Sequence, residues 1–503
     1  MKLFSAAQIK AWDAYTIAHE PITSVNLMER AAQQCAAWLQ QQYGVQKHFK
    51  IFCAKGNNGG DGLAIARLLH SKGYQVAVYI LEFGKLGSAD FQTNLQRLHP
   101  LPVPVTFIQS AEHFHLIDAA DIVIDALYGS GLHQPLAGLS AALVQHINNS
   151  GAEVISIDVP SGMYMDASSA GNVIIQATHT LTFQTYKLAL LMAENAPYMG
   201  TVHVLPIGLH PQFEWEEATA YELLDLKGIL NIFKKRNRFA HKGTYGHALL
   251  VGGSLGKTGA MVLCAKAALR SGAGLLTTYV PRSSYAILQS TVPEAMTLLD
   301  PAENYLSALP DALEKFAAIG IGPGLSTEKV TQEAVLHLIQ QATKPLVLDA
   351  DALNILSQNK AVLKQLPSHS ILTPHPKEAE RLFGHCNNDF ERMQRAQQMA
   401  NSLDVIVVLK GHHTFIALPD GTGYFNSTGN AGMAKGGSGD VLTGIITSLL
   451  AQGYMPKEAA LLGVYLHGLA GDKVAQVLGQ EAMLPSDLVQ FLPQAFAAIH
   501  KGL

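Results

Sequence analysis

Three short segments in the first third of the sequence combine glycine with acidic, amide or hydroxyl residues. They are KGNNGGDG (55–62), DALYGSGL (125–132) and DVPSG (158–162). Each follows a short β-rich run, and in open parallel sheets ligands bind beyond the carboxyl ends of the strands. We therefore expect the three segments to converge on one pocket.

The residue types of these segments suit a ligand site. Glycines in 59–62 would let the backbone approach a ligand, and a helix expected to start near Gly60 would offer free N–H groups to a phosphate. Asn58, Asp125 and Ser161 offer hard oxygen ligands of low total charge, which suit a weakly held cation better than zinc. The same residues are common in turns and caps, so each segment alone is equally well explained as a turn. Three of them at strand ends favour a site.

The strongest local signal is NAGMAKGGSGDVLTGII (430–446). Gly436, Gly437 and Gly439 precede a helix predicted over 440–451, whose free N–H groups could hold a phosphoryl group. Asp440 could take the proton from a hydroxyl that attacks phosphorus, because phosphoryl transfer needs mainly positioning and charge stabilisation. The alternative is an acidic helix cap after a flexible loop, but the glycine content exceeds what a cap requires.

The elements that must position these residues alternate between helix and strand. Residues 5–43 have helical periodicity, interrupted at Pro21. Strands are predicted at 50–53, 75–81, 122–125, 154–158 and 180–183, and again at 248–251, 275–280, 317–321, 346–348 and 405–409. This alternation predicts an α/β fold with mostly parallel sheets covered on both faces.

Length and composition predict two soluble domains. A chain of 503 residues exceeds the usual single domain. An acidic stretch and then a basic cluster interrupt the pattern at 210–240, so we expect domains at 1–215 and 225–503, with most of the basic charges belonging to a solvated linker. With 48% hydrophobic residues and a net charge of −4, the sequence favours large cores and excludes nucleic acid or anionic membrane as a main partner.

Cysteine usage and the N-terminus indicate a cytoplasmic protein. Cys35, Cys53, Cys264 and Cys386 form no CxxC pair, which favours buried free thiols over disulfides or structural zinc. The first residues lack a secretory signal, and no stretch of about 20 apolar residues would span a membrane.

The N-terminal segments, together with TLTFQTYKLAL (180–190), resemble the NAD(P)H-hydrate epimerase family over residues 1–210, which implies a Rossmann-like parallel-sheet domain. That family inverts the hydroxyl-bearing carbon of the hydrated nicotinamide ring. The resemblance implies a potassium ion at Asn58, Asp125 and Ser161. It implies substrate contacts at Asn57, Asn58, Gly59, Gly60, Asp61, Gly129, Ser130, Gly131, Leu132, His133, Gln134, Pro135 and Asp158. Because inversion needs proton transfer, our hypothesis is that Asp158 is the base and that Lys187, which could equally be a surface lysine, assists electrostatically.

The second half resembles the ribokinase-like family and, within it, the ADP-dependent NAD(P)H-hydrate dehydratases, over residues 225–503. The matching blocks include HKGTYGHALLVGGSLGKTGA (241–260), ALRSGAGL (268–275), GIGPGL (320–325), LDADALN (348–354), TPHPKEAERL (373–382) and VVLKGHHT (407–414). The resemblance implies that the hydrated dinucleotide contacts Ala260, Gly324, His375 and Asp440. It implies that the adenine nucleotide contacts Lys410, Gly411, His412, His413, Thr414 and Gly439.

The chemistry implied by this second resemblance is phosphorylation of the ring hydroxyl by ADP, followed by expulsion of phosphate. Magnesium would accompany the nucleotide, AMP would be released, and Asp440 would be the general base. The hydrates of NADH and NADPH would be the substrates, and a homo-oligomer is expected. Without the resemblance, His375 could be a rigid turn residue between prolines, and the adjacent His412 and His413 could simply line a loop.

The sequence also contains features of two other functions, a phosphate-binding loop and a small-molecule kinase. GSLGKT (253–258) follows a strand as a phosphate-binding loop would, but that motif requires glycine where Val251 stands. A ribokinase-type small-molecule kinase with a non-catalytic, dinucleotide-binding N-terminal domain remains the alternative. It would release a stable phosphorylated product, whereas a dehydratase releases free phosphate.

Overall fold

The computed structural model describes residues 1–502, which form two compact units. The N-terminal unit contains residues 2–219 and the short segment 388–390. The C-terminal unit contains residue 1, residues 220–387 and the chain from residue 391 onward. None of the helices within residues 1–502 combines the length and apolar character that a membrane crossing requires.

The N-terminal unit follows the predicted alternation of helix and strand. Its elements are β1 (Lys2–Leu3), α1 (Ala6–His19), α2 (Ser24–Gln42), β2 (His48–Cys53), α3 (Asn57–Ser71), β3 (Gln75–Leu81), α4 (Ala89–Leu98), β4 (Val105–Ile108), β5 (Ile122–Ala126), α5 (Gly138–Asn148), β6 (Glu153–Ile157), β7 (His179–Phe183), α6 (Ala196–Met199), β8 (Thr201–Leu205) and α7 (Pro211–Glu216). The five strands predicted here are each right to within two residues.

Seven of these strands form one parallel sheet in the order β4-β3-β2-β5-β6-β7-β8. The central strands are mostly apolar and almost entirely buried, as expected when helices cover both faces of a sheet. The strand order reverses between β2 and β5, which are neighbours. In doubly wound sheets this reversal opens a crevice at the carboxyl ends of the strands.

The start of α3 differs from the sequence-based expectation. The helix was expected near Gly60, but it begins at Asn57, after an extended Gly56. Gly59 and Gly60 therefore lie inside the first turn. A Cβ at Gly59 would come 1.6 Å from the carbonyl oxygen of Ala54, so glycine is required there for close packing of the helix against the strand end.

The C-terminal unit is a larger α/β structure. Its elements are β9 (Tyr221–Leu224), α8 (Leu226–Ile232), β10 (His247–Val251), α9 (Thr258–Arg270), β11 (Leu275–Val280), α10 (Tyr285–Thr291), β12 (Met296–Leu299), β13 (Ala318–Ile321), α11 (Lys329–Gln341), β14 (Leu346–Leu348), α12 (Ala350–Gln358), β15 (Ile371–Leu372), α13 (Pro376–Phe383), α14 (Asp389–Leu403), β16 (Ile406–Leu409), β17 (Phe415–Ala417), β18 (Gly423–Asn426), α15 (Ser438–Ala451), α16 (Pro456–Leu478) and α17 (Pro485–Gly502).

Its sheet has the order β9-β18-β17-β16-β15-β14-β13-β10-β11-β12. The strands from β12 to β16 are parallel, β17 is antiparallel to both of its neighbours, and β9 is parallel to β18. The order reverses between β10 and β13, where the Gly253 N–H donates to the Pro323 carbonyl at 2.9 Å. Helix α15 begins at Ser438, two residues before the predicted start, and its largely buried surface lies in the main core.

The cysteines agree with the expected free thiols. Cys35, Cys53 and Cys264 are buried, Cys386 is half-buried, and all four are free in the described part of the chain. Burial raises the pKa of the Cys35, Cys53 and Cys264 thiols, which keeps them protonated and unreactive.

Two candidate active sites

A cavity of about 880 Å³ lies at the carboxyl ends of the N-terminal strands. The chain immediately after β2, β5, β6 and β7 supplies most of its walls, and one face of α1 supplies another. All three predicted segments contribute to it or lie directly beneath it. The cavity-lining residues among those predicted are Asn57, Asn58, Asp61, Gly129, Ser130, Gly131, Leu132, His133, Asp158 and Lys187.

Asp158 is held in a defined position at the end of β6. Its backbone has a left-handed φ of 69°, and its N–H donates to the Leu181 carbonyl at 2.8 Å. Its Oδ2 accepts a hydrogen bond from the Ser130 backbone N–H at 3.1 Å, and its Oδ1 lies 3.4 Å from the Lys187 Nζ. A non-glycine residue in this conformation is strained and often marks a functional position.

Lys187 is buried rather than a surface lysine, with only 1% of its side chain exposed. Its ammonium group donates to the Phe183 carbonyl at 2.6 Å and to the Thr185 carbonyl at 3.2 Å. These bonds aim the charge at the Asp158 carboxylate. A buried ammonium requires such compensation.

Two further carboxyl groups face this cavity. Burial, together with the charges of Asp158 and Asp13, raises the pKa of Asp61 well above its usual range. Burial and the nearby Asp158 carboxylate raise the pKa of Asp13, on α1, to about 6, although Lys187 opposes the shift. No local signal in the sequence pointed to Asp13, because a single aspartate on a helix face belongs to no motif.

The three predicted cation ligands are split between the cavity wall and the layer below it. Asp125 is completely buried and accepts hydrogen bonds from the Ser161 N–H at 2.9 Å and from the Ser156 hydroxyl at 2.7 Å. The Ser161 hydroxyl donates to Asp125 Oδ1 at 2.5 Å. Burial raises the pKa of the Asp125 carboxyl, and the bonds from Ser161 oppose that shift. Asn58 lines the cavity, and its buried Nδ2 has no partner among the residues described.

The remaining predicted contacts do not line the N-terminal cavity. Gly59 and Gly60 are packed into the first turn of α3, where a Cβ at Gly60 would meet the Met28 side chain. Gln134 and Pro135 are exposed beyond the end of the lining segment.

The C-terminal unit has a cavity of about 680 Å³ over the carboxyl ends of β14, β15, β16 and β18. The glycine-rich loop and the first turn of α15 close one side, and α16 contributes another wall. The residues predicted to bind here that line it are His375, Lys410, Gly411, His412, Thr414, Gly439 and Asp440.

Asp440 lies in the first turn of α15, after Gly437, which adopts a left-handed φ of 104° as the helix N-cap. Burial is the main cause that raises the pKa of Asp440 to about 7, and the nearby Asp349 carboxylate adds to it. Lys410 opposes the shift. A carboxyl that titrates near neutrality is well suited to accept a proton from a hydroxyl group.

Lys410 is fixed by two acidic residues that the sequence analysis did not assign to the site. Its Nζ lies 2.8 Å from Asp349 Oδ1 and 3.8 Å from Glu378 Oε2. The Thr443 hydroxyl donates to Asp349 Oδ2 at 2.8 Å. Burial would raise the pKa of Asp349, but the Lys410 charge and these hydrogen bonds lower it.

Gly439 lies directly over this ion pair. A Cβ added there would be 3.3 Å from both Asp349 Oδ2 and Lys410 Nζ. The arrangement leaves backbone N–H groups at the start of α15 and one ammonium group beside the same open space. Together they form an anion site of the kind that holds phosphate.

The three histidines have different environments. His375 is both a rigid N-cap, accepting from the Lys377 N–H at 3.1 Å, and a cavity residue. His412 lines the cavity, whereas the His413 ring points elsewhere and contacts the Asn426 carbonyl at 3.0 Å. Burial lowers the pKa of His413 to about 4. Across residues 1–502, no group of three or more acidic, histidine or cysteine side chains could by itself hold a metal ion.

Ala260 and Gly324 lie outside the C-terminal cavity but next to each other, at the point where the strand order reverses. A Cβ at Gly324, which has a φ of 61°, would be 3.3 Å from the Ala260 Cβ. Nearby, the half-exposed Lys257 pairs with Asp351 at 3.3 Å. Lys257 is therefore engaged with a carboxylate, which agrees with the rejection of a phosphate-binding loop here.

The structure also adds residues that the sequence analysis missed. Asp349 stood within a recognised block directly after a predicted strand, so its strand-end position could have indicated a role. Glu378 and His467 line the same cavity. Glu378 also stood within a recognised block (373–382), whereas His467 had no local signal. The His467 Nε2 is buried without a hydrogen-bond partner in the described chain, and burial lowers the pKa of that ring to about 4.

Comparisons with known proteins cover both halves of the chain. The family model described as YjeF-related protein N-terminus matches residues 24–189, and that described as NAD(P)H-hydrate dehydratase matches residues 248–494. A solved structure from Bacillus subtilis, named ADP/ATP-dependent NAD(P)H-hydrate dehydratase and co-crystallised with ATP and Mg²⁺, is 33% identical with a TM-score of 0.50. It covers 56% of this chain, and all of that protein is matched.

Relatives of full length carry both halves together. A Moorella thermoacetica protein named bifunctional NAD(P)H-hydrate repair enzyme Nnr is 38% identical over 98% of this chain and 96% of its own. An Escherichia coli K12 protein of the same name is 32% identical over 94% and 89%. These matches confirm both resemblances and the α/β fold class, and they favour the repair function over the kinase alternative. The chain belongs to the family of bifunctional NAD(P)H-hydrate repair enzymes.

Proposed function

We propose that the N-terminal cavity interconverts the two epimers of hydrated NADH and NADPH, and that the C-terminal cavity dehydrates one epimer at the expense of ADP. The observation that supports this proposal most strongly is the carboxyl group of Asp440. Its pKa is about 7, and it lies beside an anion site made by the start of α15 and Lys410. A base and a phosphate site in one cavity are the two components that phosphorylation of a hydroxyl requires.

In the C-terminal cavity, Asp440 would take the proton of the ring hydroxyl as its oxygen attacks the β-phosphorus of ADP. Backbone N–H groups around Gly439 and the Lys410 ammonium group would stabilise the charge on the transferred phosphoryl group. AMP leaves in that step. Phosphate then departs from the ring carbon as the neighbouring carbon loses a proton, which restores the dihydronicotinamide.

The remaining predicted contacts keep their proposed roles around this chemistry. Gly411, His412 and Thr414 would contact the adenine nucleotide, as would His413 through its backbone. His375, within the cavity, and Ala260 and Gly324, at the reversal between β10 and β13, would contact the hydrated dinucleotide.

Magnesium fits this site as a companion of the nucleotide. The carboxylates of Asp349 and Glu378 lie beside the anion site, and Mg²⁺ is usually held by one or two carboxylates together with phosphate oxygens. When bound, it would neutralise charge on the phosphates. Support comes from the Bacillus dehydratase, which was crystallised with ATP and Mg²⁺.

In the N-terminal cavity, Asp158 would act as the base for inversion, and Lys187 would hold and balance its charge. The Ser130 N–H also orients this carboxylate. Substrate contacts would come from Asn57, Asn58, Asp61 and the 129–133 loop, which line the cavity.

A potassium ion fits below this cavity, where Asn58, Asp125 and Ser161 would hold it with backbone carbonyls. The observation that supports the fit is the buried, unpartnered end of the Asn58 amide. Rotation of this amide would present its carbonyl oxygen there, and such oxygen ligands suit a hard cation. The ion would supply a fixed positive charge that orders the loops around the substrate.

We further propose that the enzyme is a cytoplasmic homo-oligomer that has no nucleic acid or membrane partner. The net charge of −4 supports the absence of a polyanionic partner.

The test supplies both epimers of NADH hydrate with ADP, Mg²⁺ and K⁺, and resolves all species by chromatography. We expect complete recovery of NADH with one AMP and one phosphate per molecule. Recovery that stops at one epimer would refute the epimerase role. A stable phosphorylated product in place of NADH would refute the dehydratase role and support a kinase.

A further inference from the structure

We propose that Asp13 is the second acid–base residue of the N-terminal site, working with Asp158 on the hydroxyl-bearing carbon. The inference rests on the proposed epimerase function and adds a catalytic residue to it. The cavity-lining residues of α1 are Ala6, Ala7, Ile9, Lys10 and Asp13. Their spacing places them on one helix face, so α1 forms a wall of the cavity and carries one carboxyl group.

The Asp13 carboxyl group is available for chemistry. Within residues 1–502 it takes part in no hydrogen bond and no ion pair. By contrast, Asp158 on the other wall is held by the Ser130 N–H and by Lys187.

The charges around the two carboxyl groups differ. The pKa of Asp13 is raised to about 6 by burial and by Asp158, while Lys187 balances the Asp158 charge at 3.4 Å. The other titratable groups that line the cavity are Lys10, Lys55, Asp61, Tyr128 and His133. Two carboxyl groups that face one cavity can serve as acid and base in the same turnover.

Inversion of this carbon needs such a pair. Hydration of an enamine-type double bond leaves the hydroxyl on the carbon next to the ring nitrogen. One carboxyl group protonates that hydroxyl, the C–O bond breaks with its electron pair, and water leaves. The nitrogen lone pair forms the C=N bond of an iminium ion. Water then adds to the opposite face and gives its proton to the other carboxylate, so atoms and charge balance.

The roles of the two residues exchange with direction. Because the two epimers carry the hydroxyl on opposite faces, the residue that is the acid for one epimer is the base for the other. Each inversion also exchanges the hydroxyl oxygen with solvent. In ¹⁸O-water, therefore, the product of one inversion should carry one solvent oxygen.

The test uses the full chain without ADP, so that dehydration cannot proceed, and follows interconversion of NADH-hydrate epimers in ¹⁸O-water. We expect Asp13→Asn to lower kcat for inversion and the rate of label uptake together by about 100-fold, with KM within threefold. Asp13→Glu should retain part of the activity, and Asp118→Asn, a surface carboxyl of the same unit, should behave as wild type. Dehydration of the competent epimer should be unchanged in all variants.

The outcomes separate this inference from the proposed function. A wild-type enzyme that does not interconvert the epimers would refute the epimerase function and this inference with it. A wild-type enzyme that does, with Asp13→Asn inverting at a rate within threefold of it, would overturn the role of Asp13 alone. A rise in KM at unchanged kcat would likewise overturn it, because the residue would only bind substrate. Circular dichroism checks folding, and Asp13→Ser provides a second variant if the asparagine variant is unfolded.

Discussion

The two cavities use the same residue type in different surroundings. Both lie over the carboxyl ends of parallel strands, and each has an aspartate at the centre of its proposed chemistry. Asp158 follows β6, has a lysine 3.4 Å away and accepts a backbone N–H. Asp440 lies in the first turn of α15 and has a pKa of about 7, because burial and Asp349 outweigh Lys410. Burial and neighbouring charges, and not the residue type alone, determine what such a carboxyl group can do.

The lysines explain much of this difference. Lys187 is bonded to backbone carbonyls, so its charge acts directly on Asp158. Lys410 is paired at 2.8 Å with Asp349, so most of its charge is compensated before it reaches Asp440. The first arrangement places a positive charge beside the carboxylate, and the second leaves a carboxyl group whose pKa is about 7.

The largest effect on activity is expected from Asp440→Asn, which tests the role of the aspartate in the C-terminal cavity. The variant should lose about 10³-fold or more in dehydration, because a positioned general base contributes about 10²–10⁴-fold. AMP binding should stay within a fewfold of wild type, as measured by calorimetry. Asp420→Asn, in an exposed hairpin turn of the same unit, is the matched control. Dehydration by Asp440→Asn at near wild-type rate would remove the residue from the role of base.

Asp158→Asn should produce the next largest effect, a loss of about 10²-fold or more in epimer interconversion. The reason is the same loss of a positioned proton acceptor, but in the other cavity. The measurement is epimer exchange without ADP. Dehydration of the competent epimer by this variant should equal that of wild type, and a matching loss there would show that the two sites are not independent.

The next expected effect is a dependence of the dehydration rate on pH, of about tenfold per pH unit, set by Asp440. Asp440 must be ionised to act as the base, so kcat/KM for dehydration should fall about tenfold per pH unit below its pKa of about 7. The rate should be constant above that pH. A dehydration profile that is flat between pH 5.5 and 8 would contradict an ionised Asp440 as the base.

The smallest expected effect is a change in the thermal stability of Asp440→Asn. The folded-state pKa of Asp440 is raised to about 7 from its ordinary value of 3.8, so the unfolded chain releases this proton at lower pH than the folded protein does. The free energy of unfolding therefore falls as pH rises between these two values. Asp440→Asn removes this pH-dependent loss. Its Tm should exceed that of wild type by about 2–5 °C at pH 8 and by little at pH 4.5. A lower Tm for the variant at pH 8 would mean that the carboxylate stabilises the fold.

Much of this arrangement could be predicted from the sequence, because buried parallel strands are short apolar runs and strand-end loops are rich in glycine. The predicted strands are right to within two residues in both units. The strands missed are short. Some, such as β4 and β12, lie at sheet edges, where exposed residues break the apolar pattern, whereas β15 lies inside its sheet and has only two residues.

The residues that could not be predicted act through packing. Asp13 lines its cavity from α1, whose Trp12 packs against Leu27 and Ile207, and no local pattern encodes that placement. His467 lines its cavity from the interior of a long buried helix. Conversely, Gly59 and Gly60 belong to a motif that lines the cavity, but they themselves serve close packing below it. Whether a glycine of this motif lines the cavity or packs beneath it depends on where α3 begins.

The most direct test of two independent sites supplies only the epimer that the dehydratase does not use, with ADP, Mg²⁺ and K⁺. Asp158→Asn and Asp440→Asn are each assayed alone and then mixed in equal amounts, and the recovery of NADH is followed above the uncatalysed rate. We expect neither variant alone to restore NADH and the mixture to restore it, because the second epimer passes through solution from one protein to the other. Recovery by Asp158→Asn alone at the wild-type rate would contradict the account.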